Sequence, residues 1–207
     1  MVISKIEKQK KNTKRVSIFI DGEFEYGVTE GTLLKYGLKS GDEINRKMLN
    51  EIIEFDEYLY AKKSSFDLLS YRLRSEREIK DKLKTKKVSS KTIDRTIEHL
   101  RELGLLNDEE FARQLIQNYI SGKPKGKTFI KQKLFSKGIS REISEKILNE
   151  IFENIDEKQI ITGLFKKYCK KLQKSDKIEK KRKIFAYLAG KGFDFDVINQ
   201  VIHENLE

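Results

Sequence analysis

Leu68-Leu69-Ser70-Tyr71, Ile116-Gln117-Asn118-Tyr119 and Phe165-Lys166-Lys167-Tyr168 share an apolar-x-x-Tyr pattern, and their tyrosines stand 48 and 49 residues apart. A second marker keeps step with it. Residues 83–88, 134–139 and 188–193 each run from a leucine through a short, mostly basic stretch to an apolar residue, at spacings of 51 and 54. A third marker pairs Ile93 with Ile97, Ile143 with Ile147 and Val197 with Val201. Self-similarity at a near-constant period is the signature of a repeat architecture. Each copy reads as three helices: one ending in the tyrosine, a basic middle one, and a last one opened by Ser89, Ser140 or Asp194 as cap. One short helical triplet buries little surface and gains by stacking on neighbours. The expected fold is therefore mainly α, an elongated, curved array of three three-helix repeats at 57–107, 108–154 and 155–207.

Outward from the array, residues 1–56 read differently. Val16, Ile18 and Ile20 alternate with polar or outward positions before Asp21-Gly22, and Phe24, Tyr26 and Val28 alternate after it, which predicts a β-hairpin. Residues 3–9 can supply a third strand, 33–36 a helical turn stopped by Gly37, and Asn45 the cap of a helix carrying Met48, Leu49, Ile52 and Ile53. This is a small α+β module, and the change of apolar period from two to about 3.6 near residue 57 marks its end.

The 207-residue chain has 44 Lys+Arg against 33 Asp+Glu, a net charge of +11, and a pI near 9.5. That balance points to a polyanionic partner or one already coated in polyanion. Residues 1–56 are neutral overall, so the array carries the whole excess, and its middle segments concentrate it: +3 over 75–87, +6 over 122–138 and +5 over 174–192. On a helical wheel Arg77, Lys80, Lys84 and Lys87 form one stripe opposite Ile79 and Leu83. In the other copies the lysines flank the apolar stripe, as Lys127, Lys131, Lys133 and Lys137 do around Ile130 and Leu134.

Catalytic chemistry finds little support. Cys169 is the single cysteine, His99 and His203 are the only imidazoles, and zinc or disulfide scaffolds are excluded. Cys169 reads as a half-buried structural thiol. Residues 122–128, Gly-Lys-Pro-Lys-Gly-Lys-Thr, end like a phosphate-binding loop, but three residues separate the glycines where four are needed, and a helix precedes them instead of a strand. A basic turn opening the next helix is the better reading. Glu76, Glu78, Asp194 and Asp196 stand at helix starts, where they suit the positive end of the dipole. Tyr71, Tyr119 and Tyr168 fit packing anchors better than base-stacking platforms. The N-terminus has no apolar leader and the longest apolar run, 184–189, has six residues, so a cytoplasmic protein without membrane contact is expected.

The stretch from Tyr71-Arg72-Leu73-Arg74-Ser75 through Glu78-Ile79 to Leu83, then Leu100-Arg101-Glu102-Leu103-Gly104 and Asn107-Asp108-Glu109-Glu110-Phe111-Ala112-Arg113, then Lys137-Gly138-Ile139 and Lys191-Gly192-Phe193, resembles the RecX family of RecA recombinase regulators. Residues 72–113 are the most specific part, and the likeness covers about 57–207. The α+β module resembles an extension found in some members from Gram-positive-type bacteria. The chain departs from the family pattern at Lys87, where glycine is usual, and by one extra residue before Ile93. The resemblance implies a non-enzymatic monomer that binds the RecA filament on DNA, lies in its groove and restrains ATP hydrolysis and strand exchange, with effects on DNA repair, recombination and the SOS response. It implies no cofactor, metal or catalytic residue. Arg72, Arg74, Arg77, Lys80, Lys84, Lys87, Lys127, Lys131, Lys133, Lys137, Lys180 and Lys181 are the candidates for contact with filament or DNA phosphates. The competing class is a sequence-independent DNA-binding protein with helix-turn-helix-like units. Base readout favours Arg, Asn and Gln, whereas lysine suits backbone contact.

Overall fold

Asp21 and Gly22 adopt φ values of 50° and 93°, the left-handed pair that a two-residue hairpin needs to match strand twist. In the computed structural model, which describes residues 1–10, 15–173 and 176–206, this turn joins β2 (Arg15–Ile20) to β3 (Glu23–Thr29), and β1 (Ile3–Lys8) adds on the far side of β2 in an antiparallel sheet of order β1-β2-β3. Ile3, Val16, Ile18, Ile20 and Val28 make one buried face with Leu49 and Ile52. Phe24 departs from the expected alternation. The register shifts between Ile18 and Phe19, the bulge turns Phe24 outward to 57% exposure, and its ring meets Phe19 edge-on at 5.9 Å. Helix α1 (Glu30–Tyr36) ends at Gly37 as expected.

Helix α2 (Arg46–Leu69) starts at the Asn45 cap and runs for 24 residues, without a break across residue 57. Its first half covers the sheet with Leu49 and Ile52. It also packs on α4 (Ser90–Glu102), with Ala61 and Ser65 buried. One helix thus serves both the module and the first repeat. Asp56, 1% exposed, accepts hydrogen bonds from Thr29 N at 2.7 Å, Thr32 Oγ1 at 2.7 Å and Arg15 Nη2 at 2.9 Å. Glu57 accepts from Ser89 N at 3.0 Å, Ser89 Oγ at 2.5 Å and Thr92 Oγ1 at 2.6 Å. Burial alone would raise the Glu57 carboxyl, but these bonds outweigh it and hold the group below its usual value.

By contact density the chain forms two compact units, residues 1–72 with 79–105, and residues 73–78 with 106–207. The first holds the module, α2 and α4. The second holds the first turn of α3 (Glu76–Thr85), then α5 (Asp108–Ser121), α6 (Lys127–Ser136), α7 (Arg141–Phe152), α8 (Glu157–Cys169), α9 (Lys177–Ala189) and α10 (Phe195–Leu206). Phe111, Ile116, Ile130, Leu134 and Ile147 fill one core of that unit; Ile161, Phe165, Ile184, Leu188 and Val201 fill another.

Helix caps correct the third marker. Ser89 and Ser140 accept from Thr92 N and Ile143 N, Asp194 accepts from Asp196 N and Val197 N, and the three caps are spaced 51 and 54 apart, as the leucines are. No extra residue precedes Ile93. Its counterparts are Ser144 and Ile198, and the buried partners one turn on are Ile97, Leu148 and Ile202, whereas Ile143 and Val197 are half-buried. Ser144 therefore occupies an isoleucine position. It is 3% exposed, its Oγ has no hydrogen-bond partner, and it lines an open groove of about 590 Å³ with Gln132, Phe135 and Ile139. A buried hydroxyl without a partner costs stability, and an apolar side chain there would gain by burial. Ser144→Ile should raise stability by about 1–2 kcal/mol in urea denaturation; a loss would show that the groove cannot take the side chain.

A candidate polyanion-binding surface

The second unit repeats one joint. The start of α3 seats on the turn after α6: Ser75, fully buried, caps Glu78 N and donates from Oγ to Lys137 O at 2.7 Å, and Lys137 Nζ meets Glu78 Oε1 at 2.5 Å. The start of α6 seats on the turn after α9 in the same manner, with Gly126 N donating to Lys191 O at 3.0 Å and Thr128 N to Gly192 O at 3.2 Å. Gly138 and Gly192, at φ of 82° and 79°, sit in these turns. A Cβ on Gly138 would fall 2.6 Å from Arg77 Cβ, and one on Gly192 would meet Phe129 Cβ at 2.6 Å. These glycines are required by close approach as well as by backbone conformation. In the first repeat the same position is Lys87, exposed and at φ 61°, so the departure from the family pattern keeps the turn geometry with a side chain in place.

The candidate cations differ in their surroundings. Lys87 lies beyond the end of α3 and not on its stripe. Arg72 and Arg74 precede α3, and Arg77 lies in its first turn against Gly138. Lys80 faces Asp94 at 3.7 Å, Lys131 and Arg141 share Glu145 at 2.8 and 2.9 Å, and Lys127 donates to Asn149 at 2.7 Å. The hydrogen bonds from Lys131 and Arg141 hold Glu145 below its usual value. Lys84 and Lys133 are exposed, and Lys180 and Lys181 are half-exposed on α9. Lys174, counted in the third basic segment, lies outside the described residues.

Three lysines that the helical wheel does not group are brought together by the second joint. Lys125 is half-buried with Nζ 4.1 Å from the Phe129 ring centre, Lys191 is half-buried with Nζ 5.0 Å from that of Tyr187, and Lys123 is exposed two residues before Lys125. Among the described residues none of the three has a carboxylate partner. Burial first, then the charge of Lys191, lowers the Lys125 ammonium below its usual value; burial first, then Lys123, lowers Lys191. In the sequence these lysines fall in two separate basic segments, 122–138 and 174–192, with Lys191 more than sixty positions from the other two, and nothing local signals that the segments meet.

The tyrosines differ among copies. Tyr119 packs edge-on against Phe129 at 5.5 Å and Tyr168 stacks on Tyr187 at 4.1 Å, as packing anchors should. Tyr71 does not; it is 87% exposed. Cys169 is free and half-buried beside the last core. Glu157 is half-buried, with Oε1 unpartnered; burial, then the charge of Asp194, raises its carboxyl above the usual 4.5. The folded state thus binds the proton more tightly than the unfolded chain, so this group's contribution to stability declines as pH rises from about 4.5 through the folded value. Glu157→Gln should raise the melting temperature at pH 7 and leave it unchanged at pH 4, measured by circular dichroism at both.

Among the described residues no group of three His, Cys, Asp or Glu side chains is placed to hold a metal, and no helix is long and apolar enough to cross a membrane. Fold and surface together define a tandem three-helix-repeat protein behind a small α+β module, with lysines on its middle helices and turns. Family models for the Regulatory protein RecX N-terminal domain and the first, second and third RecX three-helix domains match residues 1–45, 61–100, 107–148 and 156–202. The chain belongs to the RecX family of regulatory proteins. It is 32% identical over 205 residues to Regulatory protein RecX of Clostridioides difficile, covering 99% of this chain and 96% of the relative. The Staphylococcus aureus (strain Newman) relative of the same name is 32% identical over 202 residues, with 98% and 74% covered. A crystal structure of regulatory protein RecX matches with TM-score 0.66 at 28% identity over 97% of this chain and 98% of that one. That of RecX from Lactobacillus salivarius matches with 0.64 at 28% identity over 72% and 96%.

Proposed function

We propose that this chain binds a RecA-type recombinase filament on DNA and inhibits its ATPase and strand exchange, acting as a cytoplasmic, non-enzymatic monomer in the regulation of repair, recombination and the SOS response. The observation that carries the reading is family membership along nearly the whole chain, joined to three tandem units that each place lysines on or beside the middle helix. Separate weak contacts, linked in one chain, multiply into useful affinity through effective concentration. Lysines offer phosphate or acidic surface a charge without sequence readout. The test measures recombinase ATPase on single-stranded DNA against added protein, alongside binding to bare and recombinase-coated DNA. Inhibition with tighter binding to coated DNA is expected. Equal binding to both with no effect on ATPase would favour the plain DNA-binding alternative.

A further inference from the structure

We infer that Lys123, Lys125 and Lys191 form a binding site for the phosphodiester backbone of a nucleic-acid strand, at the seam where the start of α6 meets the turn after α9. Backbone bonds from Gly126 N to Lys191 O and from Thr128 N to Gly192 O hold the two turns side by side, so the main chain fixes the approach of the segments that carry Lys125 and Lys191. The rings of Phe129 and Tyr187 lie against the Lys125 and Lys191 ammoniums, and both rings are themselves braced, by Tyr119 and Tyr168. Like charges are gathered here and partly desolvated, although carboxylates neutralise other lysines of the same unit, Lys131, Lys137, Lys146 and Lys158. Like charges so placed repel one another, and an anion among the three would offset that repulsion and stabilise the charged form of ammoniums that burial disfavours. Lysine presents point charges, so the ligand is a chain of phosphates and not a particular base. The inference extends the filament-binding reading and rests on it for the choice of nucleic acid over other polyanions.

The experiment uses the full chain and a fluorescent oligothymidylate, with binding read by anisotropy between about 50 and 200 mM salt, the range over which phosphate contacts weaken steeply. Lys123→Gln/Lys125→Gln/Lys191→Gln removes the three charges and keeps a polar side chain at each position, and Lys166→Gln/Lys167→Gln/Lys170→Gln removes equal charge from α8 and the residue that follows it. The site variant should bind at least about tenfold more weakly, with a log–log salt slope smaller by about 2 for three single-strand contacts; the α8 variant should change affinity less than about threefold. Equal weakening by both variants would reduce the effect to net charge and overturn the proposal, as would wild-type affinity in the site variant or no measurable binding by the parent. Recombinase ATPase measured on the same proteins separates the two readings. If the site variant binds the strand normally but no longer inhibits, the filament reading stands and the phosphate site is wrong. If the parent never inhibits but strand binding depends on the three lysines, the site stands and the filament reading is wrong.

Discussion

Asp56→Ala is expected to destabilise the first unit by about 3–5 kcal/mol, the range for removing one partner of a buried ion pair. The carboxylate is 1% exposed and satisfies the Thr29 amide, the Thr32 hydroxyl and the Arg15 guanidinium at once. Truncation removes the acceptor of all three donors; Arg15, only 25% exposed at its side chain, keeps the Gly27 carbonyl and Thr32 keeps the Thr29 hydroxyl, but the part-buried Thr29 amide loses its partner, which costs its desolvation. Asp56→Asn keeps the shape and one acceptor oxygen, so it should cost less. Urea denaturation with hydrogen exchange of the β2 and β3 amides checks this, because the loss should appear first where α2 holds the sheet. A cost below about 1 kcal/mol for the alanine variant would mean that the network is dispensable.

Gly192→Ala is expected to cost about 2–4 kcal/mol, from placing a side chain at positive φ, about 1–2 kcal/mol, and from forcing α6 away from the turn after α9. The new Cβ would overlap the Phe129 backbone and side chain, opening the seam that carries the Gly126 and Thr128 hydrogen bonds. The corresponding turn of the first repeat supplies the contrast. Lys87 has the same left-handed backbone with its side chain exposed; Lys87→Ala should be nearly neutral, and Lys87→Gly should raise stability by about 1 kcal/mol by relieving the strained φ. Thermal melts of the three variants decide it. If Gly192→Ala costs no more than the positive-φ penalty alone, close approach is not what requires glycine there.

Local chemistry made much of this fold readable. Asp21-Gly22 names its hairpin, Asn45, Ser89, Ser140 and Asp194 name helix starts, and the recurring leucines name the repeats, because turns, caps and apolar periods are decided by residues near one another in the chain. Burial decided what proximity could not. The third marker pairs Ile143 with Ile93 by residue type, yet packing aligns Ile93 with Ser144, since a core position is defined by its neighbours in space and tolerates an unexpected residue. The bulge after Ile18 turns Phe24 outward against its period, and α2 crosses residue 57, where the change of pattern suggested a boundary, because a helix continues while its hydrogen bonds do, whatever its faces pack against. For the proposed site, sequence places the excess positive charge in the middle segments. Which lysines are neutralised, and that Lys191 joins Lys123 and Lys125, depended on the seam between α6 and the turn after α9. Charge is a property of composition, but the potential at a surface is a property of distance, and only the tertiary structure sets the distances.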